Sequence, residues 1–457
     1  MAEIIPFRAL RYNPRFVPDL QQVVAPPYDV ISPEAQERYY ARHPSNVVRL
    51  ILAKDEANIS GRDRYACAAQ TFADWRREGI LRRDPVPAVY LYEQEFSLGD
   101  APRLRRRGVL ALVRLHDYAE GVIFPHERTF SRYKDDRLQL MRACPANLEA
   151  ILGFVPGPNP AVAAVLDRHV EISPAVGVVD EDGIGHRLWL VQEPEEVAAL
   201  QAALRDQPVF IADGHHRYET ALNFRNERQA HEGTAGKAAP GRLDSFVLMN
   251  LVPADDPALV ILPTHRIIRR PPACVGEALT AALARHFRIT FHPVDAGNPL
   301  PGLGLALADL ARRGAAGIAC AVYAGGGAVL VLELTDPAIT EALLAEGRAP
   351  AFARLDVAVL HRLLVEGILG VPSTMQADDS IYYTRDASQA LAEVAAGKAS
   401  VALFLNPPRV DQVQAVAMAG ERMPQKSTFF YPKVLSGLVF NPLDITELAP
   451  GRNAESR

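Results

Sequence analysis

At 457 residues, 49% hydrophobic and 23% charged, the chain has material for two or three domains with true cores and is neither a disordered nor a fibrous sequence. A formal net charge of -5 argues against a protein whose main work is coating nucleic acid. Cys67, Cys144, Cys274 and Cys320 are widely separated, with no CxxC or zinc spacing, so free thiols in a reducing cytoplasm are expected, with no disulfide framework. The amino terminus lacks a basic and apolar leader, and no window is apolar over a membrane's thickness, so a cytoplasmic protein without a membrane partner is predicted.

Ile4 to Leu10 reads as a first strand. Pro26 and Pro27 then stiffen an extended stretch that carries Asp29, a carboxylate suited to act as a base, as a metal or adenine contact, or simply to stabilise a turn. Ser32-Pro33-Glu34 has the chemistry of a helix start. A helix is predicted over Tyr65 to Leu81, with Phe72, Trp75 and Ile80 on its apolar face. Val89 to Phe96 and Val109 to Leu115 read as a hairpin, joined by an arginine-bearing loop, Arg103 to Gly108, that is either solvated or turned toward phosphates.

From Ile123 to Arg137 the chain gathers His126, Glu127, Arg128, Thr129, Asp135 and Asp136 within about a dozen positions. His126 and Glu127 could share a substrate proton, and Glu127 with Asp136 could hold Mg²⁺ through oxygen; the spacing is not HExxH. Short strands are expected between Val170 and Gln192, then a helix from Pro194 to Leu204.

The densest chemistry lies in the stretch from Pro208 to Leu222. Val209 to Ala212 is β-branched and aromatic like a buried strand, and from His216 the apolar positions Tyr218, Ala221, Leu222 and Phe224 recur at helical spacing. Gly214 permits the sharp turn between them, while the new helix's free N–H groups and Arg217 make an anion site for which phosphate is the natural guest. Asp213 could orient a histidine, a metal or a hydroxyl, and His215 and His216 offer proton carriers near neutral pH.

Ala230 to Gly241 is small and polar, a loop placed to close over a ligand. Ser245 to Val252 and Leu259 to Ile268 are strand-like, the second carrying Thr264-His265-Arg266. After Pro271-Pro272, residues up to about Val371 suggest helices against a small sheet, with a hairpin at Gly325-Gly326-Gly327 and a helix over Leu355 to Leu369. Those glycines are no phosphate loop, because no Lys-Ser/Thr follows them. Strands are expected at Ser380 to Asp386, Ser400 to Asn406 and Leu438 to Phe440. Between the last two lies Met423 to Lys433, where Lys426, Lys433, Ser427 and Thr428 beside three aromatic residues could clamp phosphates and stack a base.

Asp213-Gly214-His215-His216-Arg217 resembles the signature of archaeal-type free serine kinases and, more distantly, the phosphate box of ParB-type partition proteins, both of the ParB/sulfiredoxin-like superfamily. Over nearly its whole length the chain resembles the bacterial domain-of-unknown-function family 1015, through Ala25 to Val30, Pro125 to Thr129, Ala212 to Leu222, Leu262 to Arg266 and Met423 to Lys433. The resemblance implies an α+β fold, with a mixed-sheet ParB/sulfiredoxin-like N-terminal core with insertions plus a smaller α/β C-terminal domain. The expected segments are 1–270, 271–375 and 376–457, the last packing back on the site.

The activity implied is a nucleotide-dependent kinase of a small hydroxylated metabolite such as free serine, using ATP or ADP, or CTP, with Mg²⁺. Asp29, Glu127, Asp213, His215 and His216 would be its catalytic groups. Gly214, Arg217, His126, Thr129, His265, Arg266, Lys426, Ser427, Thr428 and Lys433 would bind phosphate or nucleotide, and Glu127 and Asp136 would hold the metal. A ParB-like nucleotide switch, which predicts a homodimer, and a phosphoester hydrolase are the alternatives. The acidic balance and the lack of a helix-turn-helix weigh against a nucleic-acid partner.

Overall fold

The computed structural model describes residues 2–55, 61–99, 101–233, 242–269, 272–371 and 381–443. The chain divides into two compact units. The first comprises Met1–Pro125, Thr129–Val260 and Pro432–Arg457; the second comprises His126–Arg128 and Ile261–Tyr431.

The first unit is built on a nine-stranded mixed sheet. Its strands are β1 (Ile4–Ile5), β2 (Val89–Phe96), β3 (Leu104–Arg114), β4 (Ile123–Phe124), β5 (Ile151–Val155), β6 (Val176–Val179), β7 (Gly185–Val191), β8 (Val209–Asp213) and β9 (Phe246–Pro253). They lie in the order β4-β8-β5-β9-β3-β2-β7-β6, with β1 also paired to β3. The pairs β8–β4 and β9–β5 are parallel and the remaining pairs antiparallel. A strand with neighbours on both sides and a helix over it buries nearly every side chain, which is why β5, β8 and β9 are mostly apolar, with Asn250 and the terminal Asp213 the polar exceptions. Helices α1 (Pro33–Arg42), α2 (Arg64–Arg77), α3 (Ser131–Ala143), α4 (Pro160–Val170), α5 (Pro194–Arg205) and α6 (His215–His231) complete this unit. The Ser32 hydroxyl caps α1 by accepting the Ala35 N–H at 3.2 Å, with Pro33 in the first turn.

The arginine run is not a loop. It starts β3, and period-two alternation sorts its side chains by face. Arg107 pairs with Glu93 at 2.7 Å and Arg105 with Glu95 at 3.0 Å across the β2–β3 ladder. Arg106 points the other way into the interior, donating to Gln94 and to the Pro432 carbonyl. A strand was expected at Leu438 to Phe440; instead Phe440 makes one bridge to Leu10, and Asn441–Pro442 pairs with Ala146–Asn147.

The second unit holds a six-stranded sheet of β10 (His265–Ile268), β11 (Phe287–Pro293), β12 (Ala319–Tyr323), β13 (Ala328–Leu334), β14 (Ile381–Thr384) and β15 (Val401–Leu405), ordered β11-β13-β12-β15-β10-β14. Helices α7 (Leu300–Ala316) and α8 (Ala387–Ala395) bury Leu303, Ala306, Leu310, Ala390 and Leu391 against it in one core. The hairpin expected at Gly325–Gly327 is the β12–β13 pair. The helix expected over Leu355 to Leu369 is a short α-turn, Asp356–Val359, that widens into a π-helix over Leu360–Ile368. β10, placed before the expected boundary at 270, lies inside this second sheet between β14 and β15. Of the loop expected from Ala230 to Gly241, residues 234–241 lie outside the described residues, as does Ser380.

Candidate functional site

In the first unit the site forms where β8 meets α6. A bulge between Ile211 and Asp213 breaks the β8–β5 register and re-aims the Asp213 side chain. Gly214 follows at φ 95°, a left-handed conformation, and a Cβ there would stand 2.9 Å from the Arg217 guanidinium. The turn therefore requires glycine for its backbone and for the room it leaves Arg217.

Asp213 is held between two cations. Arg217 Nη2 meets one carboxylate oxygen at 2.6 Å and Lys433 Nζ the other. Burial alone would raise the Asp213 carboxyl, but the charges of Lys433 and Arg217 outweigh it and hold the group well below the usual carboxylate range. Arg217 Nη1 donates to the Ala150 carbonyl, and its buried Nε has no partner.

Behind Arg217 opens a small cleft, lined by Arg137, Asn147, Glu149, Arg217 and Thr220 with Leu140, Met141, Leu148 and Val247. Thr220 is 1% exposed, and among the described residues its hydroxyl has no partner. Glu149 accepts the Tyr28 N–H at 3.0 Å and the Ser436 hydroxyl at 3.3 Å, both at Oε1. Burial raises the Glu149 carboxyl above its ordinary value, against the pull of Arg217 and Arg137. The Arg137 guanidinium lies 4.1 Å from the Tyr28 ring centre, which ties the Pro26-Pro27-Tyr28-Asp29 stretch to this cleft. Asp29 itself is exposed and acts electrostatically on both Glu149 and Arg217.

The two histidines part company. His215 is buried, and its charge acts on Asp213. His216 turns to α3: its Nε2 accepts the Phe130 N–H at 3.0 Å, and its ring stacks on Phe130. Thr129 donates to Glu219 at 2.7 Å. Asp136 is engaged by Arg64, Tyr65 and Arg137. Among the described residues no three His, Cys, Asp or Glu side chains gather into a group able to hold a metal ion.

The remaining expected residues belong to the second unit. His126 is buried, shares a 2.8 Å hydrogen bond with the Thr428 hydroxyl, and packs near Phe430. Glu127 accepts the Lys426 N–H at 3.4 Å. Lys426 is the one non-glycine among the described residues with positive φ, 55°, in a turn closed by the Ser427 hydroxyl on the Pro424 carbonyl. His265 packs against Phe404, and burial lowers its imidazole to about 4, so it is neutral at physiological pH. Thr264, Arg266 and Ser427 line a second, small cavity together with Asp356, Asn406 and Gln412.

Burial pushes the Asp356 carboxyl up to about 7, with donors from Asn406 and the Ala319 backbone offsetting part of it. Because the folded state keeps that proton while the unfolded chain releases it near its ordinary 3.8, stability falls as pH rises from about 4 to about 7. The loss is at most about 4 kcal/mol. Asp356→Asn is expected to flatten this decline, as read from urea midpoints between about pH 4 and pH 8; an unchanged pH slope would contradict it.

Sequence reasoning missed Glu149 and Arg137 as cleft residues. Glu149 interrupts the run Leu148-Glu149-Ala150-Ile151-Leu152, and a lone carboxylate within a buried apolar stretch is the signal that points to it.

The fold and the site together define a mixed-sheet α+β protein with a cation-rich cleft at a strand-to-helix turn. The chain belongs to the family described as protein of unknown function (DUF1015), whose model matches residues 4–358. Among solved structures it is similar to a free serine kinase in complex with AMP, at 12% identity over 71% of this chain and 89% of that one, with a TM-score of 0.32. It is also similar to SbnI with C-terminal truncation from Staphylococcus aureus, at 13% identity, 73% and 87% coverage and a TM-score of 0.34. A conserved hypothetical protein from Pyrococcus furiosus gives 13% identity, 71% and 93% coverage and a TM-score of 0.30. No curated protein matches the chain. No described helix is long and apolar enough to cross a membrane.

Proposed function

We propose that the protein is a cytoplasmic phosphotransferase that binds a nucleotide, ATP or ADP or else CTP, and phosphorylates the hydroxyl of a small metabolite such as serine. The observation that carries this reading is the Lys433–Asp213–Arg217 cluster at the start of α6, opening on a cleft with a buried carboxyl and two unpartnered polar atoms.

Phosphoryl transfer asks a protein mainly for positioning and for compensation of charge. Around the cleft the cations Arg137, Arg217 and Lys433 face the carboxyls of Asp29, Glu149 and Asp213, and Glu149 holds its proton more tightly than an exposed carboxyl does. The balance favours an anionic guest. Lys433 and the first N–H groups of α6 beside Gly214 would hold phosphate oxygens, with Asp213 fixing both cations and His215 adding a donor. The nucleotide, when bound, supplies the phosphoryl group. Arg217 Nε and Thr220 Oγ1 are placed to orient the acceptor, and Glu149 is the carboxyl suited to take its hydroxyl proton, with Asp29 adding negative charge at the cleft.

A thermal-shift series with ATP, ADP, CTP, GTP and pyrophosphate tests this directly, because a ligand of the folded state raises Tm. One nucleotide is expected to do so. Lys433→Met, which keeps the apolar stem and removes the charge, is expected to weaken that nucleotide at least tenfold. If none of the five raises Tm, or if the variant binds as tightly as the parent protein, the reading fails.

A further inference from the structure

The second unit contains a buried cation for which the described residues supply no counter-charge. Arg266 on β10 is 2% exposed. Its contacts are one hydrogen bond, from Nη1 to the Thr264 carbonyl at 3.1 Å, and a flank against the Tyr383 ring at 5.6 Å. Among the described residues no carboxylate pairs with it. A guanidinium carries five N–H donors, and a core that keeps one without an anion loses solvation it does not recover.

Arg266 instead lines the cavity shared with Thr264, Asp356, Asn406, Gln412 and Ser427. The polar side chains there present donors. Gln412 spends its carbonyl oxygen on the Arg409 N–H at 2.9 Å, which leaves its NH₂ group over. Asn406 gives one N–H to the Leu310 carbonyl at 3.1 Å and the other to Asp356, so its amide is spent on the wall itself. Thr264 lines the cavity, and among the described residues no hydrogen bond to its hydroxyl is present. The one carboxyl on the wall, Asp356, takes a hydrogen bond from Asn406 and does not reach Arg266. Beside Ser427 stands the left-handed Lys426, a strained conformation of the kind the surrounding structure must enforce.

We propose that this cavity is a second binding site, additional to the cleft of the first unit, and that it takes a small oxyanion, the carboxylate or phosphate group of a metabolite, with Arg266 as its counter-charge. An oxyanion satisfies the guanidinium bidentately and accepts from Thr264 and Gln412, which no neutral guest of that size does as fully.

The test is a thermal-shift titration of the full chain with inorganic phosphate and with acetate, using chloride as control, on the parent protein, Arg266→Met, Thr264→Asp and Lys433→Met. A saturable rise in Tm with phosphate, acetate or both is expected, and the active anion identifies the source group. The rise should persist in Lys433→Met and weaken tenfold or more in Arg266→Met. Thr264→Asp places a carboxylate beside Arg266, so this variant should melt above the parent protein in anion-free buffer and no longer respond. If Arg266→Met does not fold, the Thr264→Asp result decides alone. The proposal is overturned if the parent protein does not respond, if Arg266→Met and Thr264→Asp respond as it does, or if Lys433→Met abolishes the response.

Discussion

Replacing Asp213 by alanine is expected to cost the protein about 3–5 kcal/mol, the usual price of stranding a buried ion-pair partner. The loss is large because two cations lean on one carboxylate. Arg217 and Lys433 would both remain, and Arg217 is also committed to the Ala150 carbonyl and has little freedom to turn toward water. Most of the cost should reappear as coupling in a double-mutant cycle: Asp213→Ala made in a Lys433→Met background should destabilise less than in the parent protein. The pH dependence has a definite sign. The folded Asp213 carboxyl lies below its ordinary 3.8, so its stabilisation is present above that value and is lost as pH falls through and below it. Urea unfolding at neutral pH and near pH 3 measures both effects. A loss under about 1 kcal/mol at neutral pH would mean that the cluster is solvated and would remove it as the organising feature of the site.

Glu149→Gln should behave in the opposite way, leaving a stable protein that turns over poorly. Glutamine keeps an oxygen to accept from Tyr28 and Ser436 and fills the same volume, but it takes up no proton. Because burial raises the folded carboxyl above its ordinary 4.5, the native glutamate stabilises fully only below that pH and loses stabilisation as pH rises above it. The variant should therefore be at least as stable as the parent protein at neutral pH. Loss of a positioned general base lowers rates by about 10²–10⁴-fold. Turnover of the nucleotide found by thermal shift, measured with serine and other small alcohols, should fall by that factor while nucleotide affinity changes little. A rate within a few-fold of the parent protein's would transfer the base role away from Glu149, with Asp29 the next carboxyl to replace.

Local pattern carried the strands and helices whose causes are local. Val89 to Phe96, Val209 to Asp213 and the helix after Gly214 were all legible, because a buried run and a helical repeat are written within a dozen residues. The arginine run was misread because its partners, Glu93 and Glu95, sit on a neighbouring strand, and only the β2–β3 register makes a ladder of opposite charges out of an apparent loop. The expected cluster at His126, Glu127, Thr129 and Asp136 is close in sequence, yet the chain crosses between units within it: 126–128 belong to one and 129 onward to the other. Adjacent histidines diverged for a simpler reason, since neighbours on a helix are about 100° apart and cannot share a target. Glu149 escaped because its importance depends on Tyr28 and Ser436, which lie 121 and 287 positions away.

Lys433 lies beyond the whole second unit in chain order, whereas Asp213 and Arg217 precede it. A growing polypeptide therefore exposes the aspartate–arginine pair well before the lysine that completes the trio has been made. Domains tend to fold as they emerge from the ribosome, so the first unit waits through synthesis of more than a hundred intervening residues with its binding corner one positive charge short. Assembly of the Lys433–Asp213–Arg217 trio is thus timed to the late arrival of residues 432–443, and a prematurely terminated chain carries the aspartate–arginine pair without its second cation.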